Sequence, residues 1–83
     1  MHHAAYVGDF EAASTLLGAG ASVSSYSNQQ RTPLHFAALN NHTDLIVILL
    51  ENYAELEWKD ELHCTPLHLA SKKGSLEALT LLL

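Results

Sequence analysis

The chain has 83 residues, is 48% hydrophobic, and carries a net charge of −5 from nine acidic and four basic residues, with one cysteine, Cys64. That length holds one domain at most, with only a marginal ordinary core, yet the apolar content is too high for a disordered segment. The acidic balance argues against a phosphate-backbone binder, so no nucleic acid is expected as a partner. The apolar stretches Leu45 to Leu50 and Leu79 to Leu83 fall far short of the roughly 20 residues of a membrane span, so no direct membrane insertion is expected. Met1-His2-His3 lacks the basic start of a secretory signal. A small domain that can form no internal disulfide fits a reducing compartment, which points to an intracellular, cytoplasmic location.

Along the chain the dominant feature is self-similarity. Thr32-Pro33-Leu34-His35-Phe36-Ala37-Ala38 recurs 33 residues later as Thr65-Pro66-Leu67-His68-Leu69-Ala70-Ser71. The register continues: Asp44 falls with Glu77, Leu49 with Leu82, and Leu50 with Leu83. The same offset taken backwards gives a third copy, with His2, Ala4, Ala5, Leu16 and Leu17 at the matching places. Matches sustained at one offset indicate a repeat architecture, with units of about 1–31, 32–64 and 65–83.

Each unit reads as two helices and a long turn. In the first, Gly8 breaks the opening helix, Asp9 can cap the next one, and Gly20 closes it. A polar turn follows from Ser22 to Arg31. In the second unit, Thr32 suits an N-cap and Pro33 the first helical position, where a missing amide costs little. That helix presents Leu34, Ala37 and Ala38 on one side, and its alanines allow close approach. Asn41 replaces Gly8 as the breaker, since Asn also tolerates a left-handed backbone. The second helix carries Leu45-Ile46-Val47-Ile48-Leu49-Leu50, and the turn from Glu55 to Cys64 follows. In the third unit Thr65 and Pro66 open the helix, Gly74 ends it, and Ser75 can cap the last one.

These residues resemble the ankyrin repeat, whose units open with a Thr-Pro-Leu-His-x-Ala-Ala block at this period. The resemblance covers the whole chain. It implies an all-α solenoid of stacked helix–turn–helix units with projecting loops. It also implies a scaffold or adaptor that binds a protein partner through the loop tips and the concave face of the first helices. Family contact positions fall on Tyr6, Val7, Leu39, Asn40, Lys72 and Lys73 in the first helices. In the loops they fall on Tyr26, Asn28, Gln29 and Arg31, then on Lys59, Glu61, Leu62 and Cys64.

The departures from the family pattern are specific. The glycine after the second helix is Gly20 in the first unit but Tyr53 in the second, so either Tyr53 takes an unfavourable backbone or Asn52 absorbs the turn. The loop glycine is Gln30 and His63. The loop aspartate is Asp60 in one turn and Ser27 in the other. Ser24 and Glu57 stand where some members carry a hydroxylated asparagine, so that modification is not expected. Met1 stands at the motif leucine, and neither end shows a polar capping unit, so a piece of a longer array is expected.

No chemistry-bearing constellation emerges, and no catalysis, metal or cofactor is expected. His2, His35 and His68 recur one repeat apart, and layers about 8–10 Å apart cannot converge on one zinc ion. These imidazoles are expected to bond turn groups and tie adjacent units together. His2 and His3 with Met1 offer only a frayed metal site. Cys64 beside His63 lacks a third, orienting group. Glu55, Glu57, Asp60 and Glu61 read as a solvated acidic loop, because nothing is expected to bury one of them. Gly18-Ala19-Gly20 follows a helix and lacks the Lys-Ser/Thr of a phosphate loop. Trp58 either anchors a partner or packs across the neighbouring loop. The acidic turn predicts a partner protein with a basic patch.

Overall fold

In the computed structural model, which describes residues 1–83, the repeat becomes three helix pairs. Helix α1 spans His2–Val7, α2 Phe10–Gly18, α3 Pro33–Leu39, α4 Thr43–Glu51, α5 Pro66–Lys73 and α6 Leu76–Leu82. The first helices α1, α3 and α5 pack in one row and the second helices α2, α4 and α6 in another. No helix is long and apolar enough to cross a membrane.

The helix starts follow from the Thr-Pro pairs. Thr32 and Thr65 hold an extended backbone, and Pro33 and Pro66 open α3 and α5. Three residues into each helix the histidine turns back on the cap. His35 Nδ1 accepts from the Thr32 N–H at 3.1 Å, and His68 Nδ1 from the Thr65 N–H at 3.1 Å. A backbone N–H can only donate, so Nδ1 is unprotonated and the neutral ring carries its hydrogen on Nε2. In His35 that Nε2–H donates to the Cys64 carbonyl at 2.8 Å, and His2 Nε2 reaches the Ser25 carbonyl at 3.0 Å. His2 and His35 therefore join their own unit's helix to the turn that follows it, which bears out the expected bonds to turn groups but not the expected tie between adjacent units.

The helix ends are repetitive too. The N–H of Gly20 bonds the Leu17 carbonyl and that of Ala21 the Leu16 carbonyl. Tyr53 and Ala54 make the same pair of bonds to Leu50 and Leu49. This is the Schellman closure, which needs a left-handed residue. Gly20 supplies it at φ 91° and Tyr53 at φ 67°. Of the two alternatives for this turn, Tyr53 is therefore the strained residue, and Asn52 keeps φ −98°. Asn41, Gln30 and His63 also sit at positive φ, each where the repeat elsewhere favours glycine.

The core is thin and centred on the middle unit. Leu34, Leu45, Ile46 and Leu49 are fully buried, joined by Ala4, Ala5, Ala13, Ala37, Ala38, Ala54, Ala70 and Ala78. The alanines let the first helices approach closely, and the leucines of α4 fill the space between the rows. Leu49 has no exposed surface, whereas its equivalent Leu16 is 37% exposed. Sequence equivalence did not predict that difference; it arises because only the middle unit has a neighbour on both sides.

Candidate protein-binding surface

The candidate surface is built from two polar turns. In each, the first residue of the tip accepts backbone bonds and shapes the chain. Asp60 Oδ1 accepts from the N–H groups of Leu62 at 2.9 Å and Cys64 at 2.8 Å. Ser27 Oγ does the same for Gln29 and Arg31, both at 3.3 Å. The hydroxyl thus replaces the carboxylate with longer bonds. Backbone bonds Ser27 N–H to Arg31 O and Asp60 N–H to Cys64 O, at 2.8 and 2.9 Å, close the two turns identically.

The turns are also fastened to each other. The Glu61 N–H donates to the Gln29 carbonyl at 2.9 Å. Arg31 Nε donates to Asp60 Oδ2 at 3.1 Å. Trp58 Nε1 donates to the Gln30 carbonyl at 2.9 Å, and its ring lies 5.2 Å from that of Tyr26 at 31°. Trp58 is half-buried by these contacts, so it packs across the neighbouring loop.

One expectation is overturned here. Asp60 is not part of a solvated acidic loop; it is 3% exposed. Burial alone raises its pKa, but the Cys64 N–H, Arg31 and the Leu62 N–H outweigh burial and hold it below the usual carboxylate range. The free acids of this region are Glu51, Glu55, Glu57 and Glu61, all exposed, with Lys59 among them.

Of the remaining residues expected at the site, Tyr26, Asn28, Gln29, Lys59, Glu61 and Leu62 are exposed along this edge. Arg31 and Cys64 are half-buried, with the Cys64 thiol turned to the Leu62 carbonyl. On the first helices, Tyr6, Val7, Lys72 and Lys73 are exposed, while Leu39 and Asn40 are half-buried. Tyr6 meets Phe36 edge-on at 5.9 Å. Asn40 is engaged within the fold: its Nδ2 donates to the Tyr6 carbonyl at 2.8 Å. Lys72 and Lys73 occupy the last turn of α5, where the helix dipole favours cations.

Several positioning residues escaped the sequence reading. His42 Nε2 also bonds the Tyr6 carbonyl, at 3.0 Å. One repeat later Ser75 Oγ donates to the Leu39 carbonyl at 3.1 Å. Ser75 was expected to cap α6 and does not. Asn41 of the preceding unit caps it instead: its Oδ1 accepts from the Ala78 N–H at 2.9 Å and its Nδ2 donates to Glu77 at 2.6 Å. Asp9 does cap α2, accepting from the Ala12 N–H at 3.0 Å. The clue was present in the offset, since positions 42 and 75 are equivalent, but which carbonyl lies opposite depends on how the units stack. On the second-helix side, a shallow depression of about 350 Å³ lies between α4 and α6, lined by Thr43, Glu77, Thr80 and Leu81.

The family model for ankyrin repeats, in three copies, matches residues 1–83. Inversin of Canis lupus familiaris is 41% identical over 88% of the chain, and that match covers 7% of Inversin. The human transient receptor potential cation channel subfamily A member 1 is 36% identical over 100% of the chain and 8% of its own length. NF-kappa-B inhibitor alpha of Sus scrofa is 39% identical over 68% of the chain and 18% of its own length. The chain thus spans less than a fifth of each of these relatives.

Proposed function

Because this chain belongs to the ankyrin-repeat family, we propose that it is a protein–protein interaction module, scaffold or adaptor, that binds its partner along the loop edge and the first-helix row. The observation that carries this is the fastening of the two turns. Four separate contacts, Glu61 to Gln29, Arg31 to Asp60, Trp58 to Gln30 and Trp58 to Tyr26, hold the edge rigid before a partner arrives. A pre-ordered surface loses less entropy on binding. That edge still presents Tyr26, Lys59, Glu61 and Leu62 outward, whereas Leu45, Ile46 and Leu49 of α4 are buried in the core.

The partner is a protein with a basic patch. Glu55, Glu57 and Glu61 face it, and Lys72 and Lys73 set an opposite-sign border that orients it. Such charge complementarity acts mainly on association rate and partner choice. The whole chain is taken up by the three matched repeats, which leaves its role to surface recognition rather than catalysis. Among the relatives, one is named NF-kappa-B inhibitor alpha. Units of about 1–31, 32–64 and 65–83 form a piece of a longer intracellular array, in keeping with the small share of each relative that is matched.

The test is a partner selected by peptide display against the array, followed by kinetics with variants. Leu62→Ala, at a side chain 65% exposed, is expected to weaken binding by at least about 1 kcal/mol. Glu57→Lys with Glu61→Lys is expected to slow association, chiefly at low salt. If these variants bind like wild type while Val47→Ser on the second-helix side abolishes binding, the edge is not the site.

A further inference from the structure

Tyr53 is an anomaly. A bulky residue at positive φ is a genuine backbone outlier, and such strain concentrates where a side chain has a use. Tyr53 holds φ 67° at the end of α4, where the equivalent residue of the first unit is Gly20. The backbone bonds of Tyr53 and Ala54 to Leu50 and Leu49 hold the turn, but the tyrosine side chain adds nothing to it. The side chain is 91% exposed, the hydroxyl bonds no protein atom, and the ring stacks on none. The other tyrosines differ: Tyr6 meets Phe36 and Tyr26 meets Trp58. Tyr53 also differs in its flanks, Glu51-Asn52-Tyr53-Ala54-Glu55-Leu56-Glu57, in which all three glutamates are exposed. Tyr26, in Ser24-Ser25-Tyr26-Ser27-Asn28, has no acid beside it.

We infer that Tyr53 is a phosphorylation site for a protein tyrosine kinase whose basic substrate groove reads the flanking glutamates. The γ-phosphoryl group of ATP passes to Tyr53 Oη. The bond from the γ-phosphorus to the β–γ bridging oxygen breaks, the Oη–P bond forms, ADP leaves, and the phenolic proton goes to the kinase's catalytic carboxylate. The product places about two negative charges at the C-terminal end of α4, beside Glu51 and Glu55. Like charges and the helix dipole both oppose it there. Phosphorylation therefore loosens the start of the 55–64 turn, whose tip forms half of the binding edge.

The experiment incubates the folded chain with ATP and the catalytic domain of an acid-preferring tyrosine kinase, and follows each tyrosine by mass spectrometry. A peptide spanning residues 47–59 serves as the unfolded comparison. Tyr53 is expected to be modified at least about tenfold faster than Tyr6 or Tyr26. Glu51→Lys with Glu55→Lys, both at exposed positions, is expected to slow it several-fold, and Tyr53→Phe to remove it. The phosphorylated chain is expected to melt a few degrees lower. The inference is overturned if Tyr6 or Tyr26 reacts as fast, if the charge reversal leaves the rate unchanged, if the peptide reacts and the folded chain does not, or if neither reacts.

Discussion

Replacing Tyr53 by glycine should stabilise the protein. A left-handed backbone costs an L-residue about 1–2 kcal/mol, and glycine does not bear that cost. Against this, glycine adds conformational freedom to the unfolded chain, worth about 0.5–1 kcal/mol. The third contribution, lost packing, is close to nothing, because the side chain is 91% exposed. The closing bonds are made by the backbone of Tyr53 and Ala54 to Leu50 and Leu49, so they survive the change. The net gain is about 0.5–1 kcal/mol. Urea unfolding followed by circular dichroism reads this directly. With a slope near 1 kcal/mol/M for a chain of this size, the midpoint should rise by about 0.5–1 M. Asn52→Gly is the control. Asn52 holds φ −98°, so glycine there adds only unfolded-state freedom and should destabilise by about 0.5–1 kcal/mol. A midpoint for Tyr53→Gly at or below that of the parent chain refutes the reasoning, because it requires a stabilising interaction by this side chain that its exposure rules out.

Leu49→Ala should cost about 2–5 kcal/mol, since Leu49 is fully buried in the middle unit; an unchanged thermal midpoint would place it outside the core. Asp60→Asn should cost about 1.5–3 kcal/mol, because a buried charged acceptor serving two N–H groups and Arg31 becomes neutral; equal stability of the two proteins at pH 7 would contradict that role. Acid should act in two windows. Burial, with a smaller push from Arg31, holds His35 below the ordinary histidine value of about 6.5, against the pull of the Cys64 carbonyl and Asp60. The folded state therefore binds fewer protons at this ring than the unfolded state. The contribution of neutral His35 is complete above about pH 6.5 and declines as the pH falls from there through its lowered folded value. Asp60, also lowered, keeps its contribution above about pH 4 and loses it as pH drops through its folded value. Urea midpoints across pH 3–8 check both windows, and His35→Gln should flatten the upper one.

The sequence alone determined the architecture, because the repeat is written in local signals. A Thr-Pro pair starts a helix whatever surrounds it, a glycine or asparagine ends one, and a fixed offset aligns the copies. Even the strained positions were legible, since Tyr53, Gln30 and His63 stand where the repeat calls for glycine and all three took positive φ. The family followed from the same motif. What the tertiary structure decided was which polar groups face inward. Asp60 reads as one more acid in an acidic turn, yet it is buried because Arg31, 29 residues earlier, is brought against it by stacking. Ser75 has the chemistry of a cap, but it faces the Leu39 carbonyl, and the cap comes from Asn41 in another unit. Trp58 had two open roles, and its place beside Tyr26 and Gln30 gave it the packing one. Local propensity acts over a few neighbouring residues, so it can be read in order along the chain. A buried hydrogen bond depends on which atoms from distant units meet, and only the stacked fold specifies that.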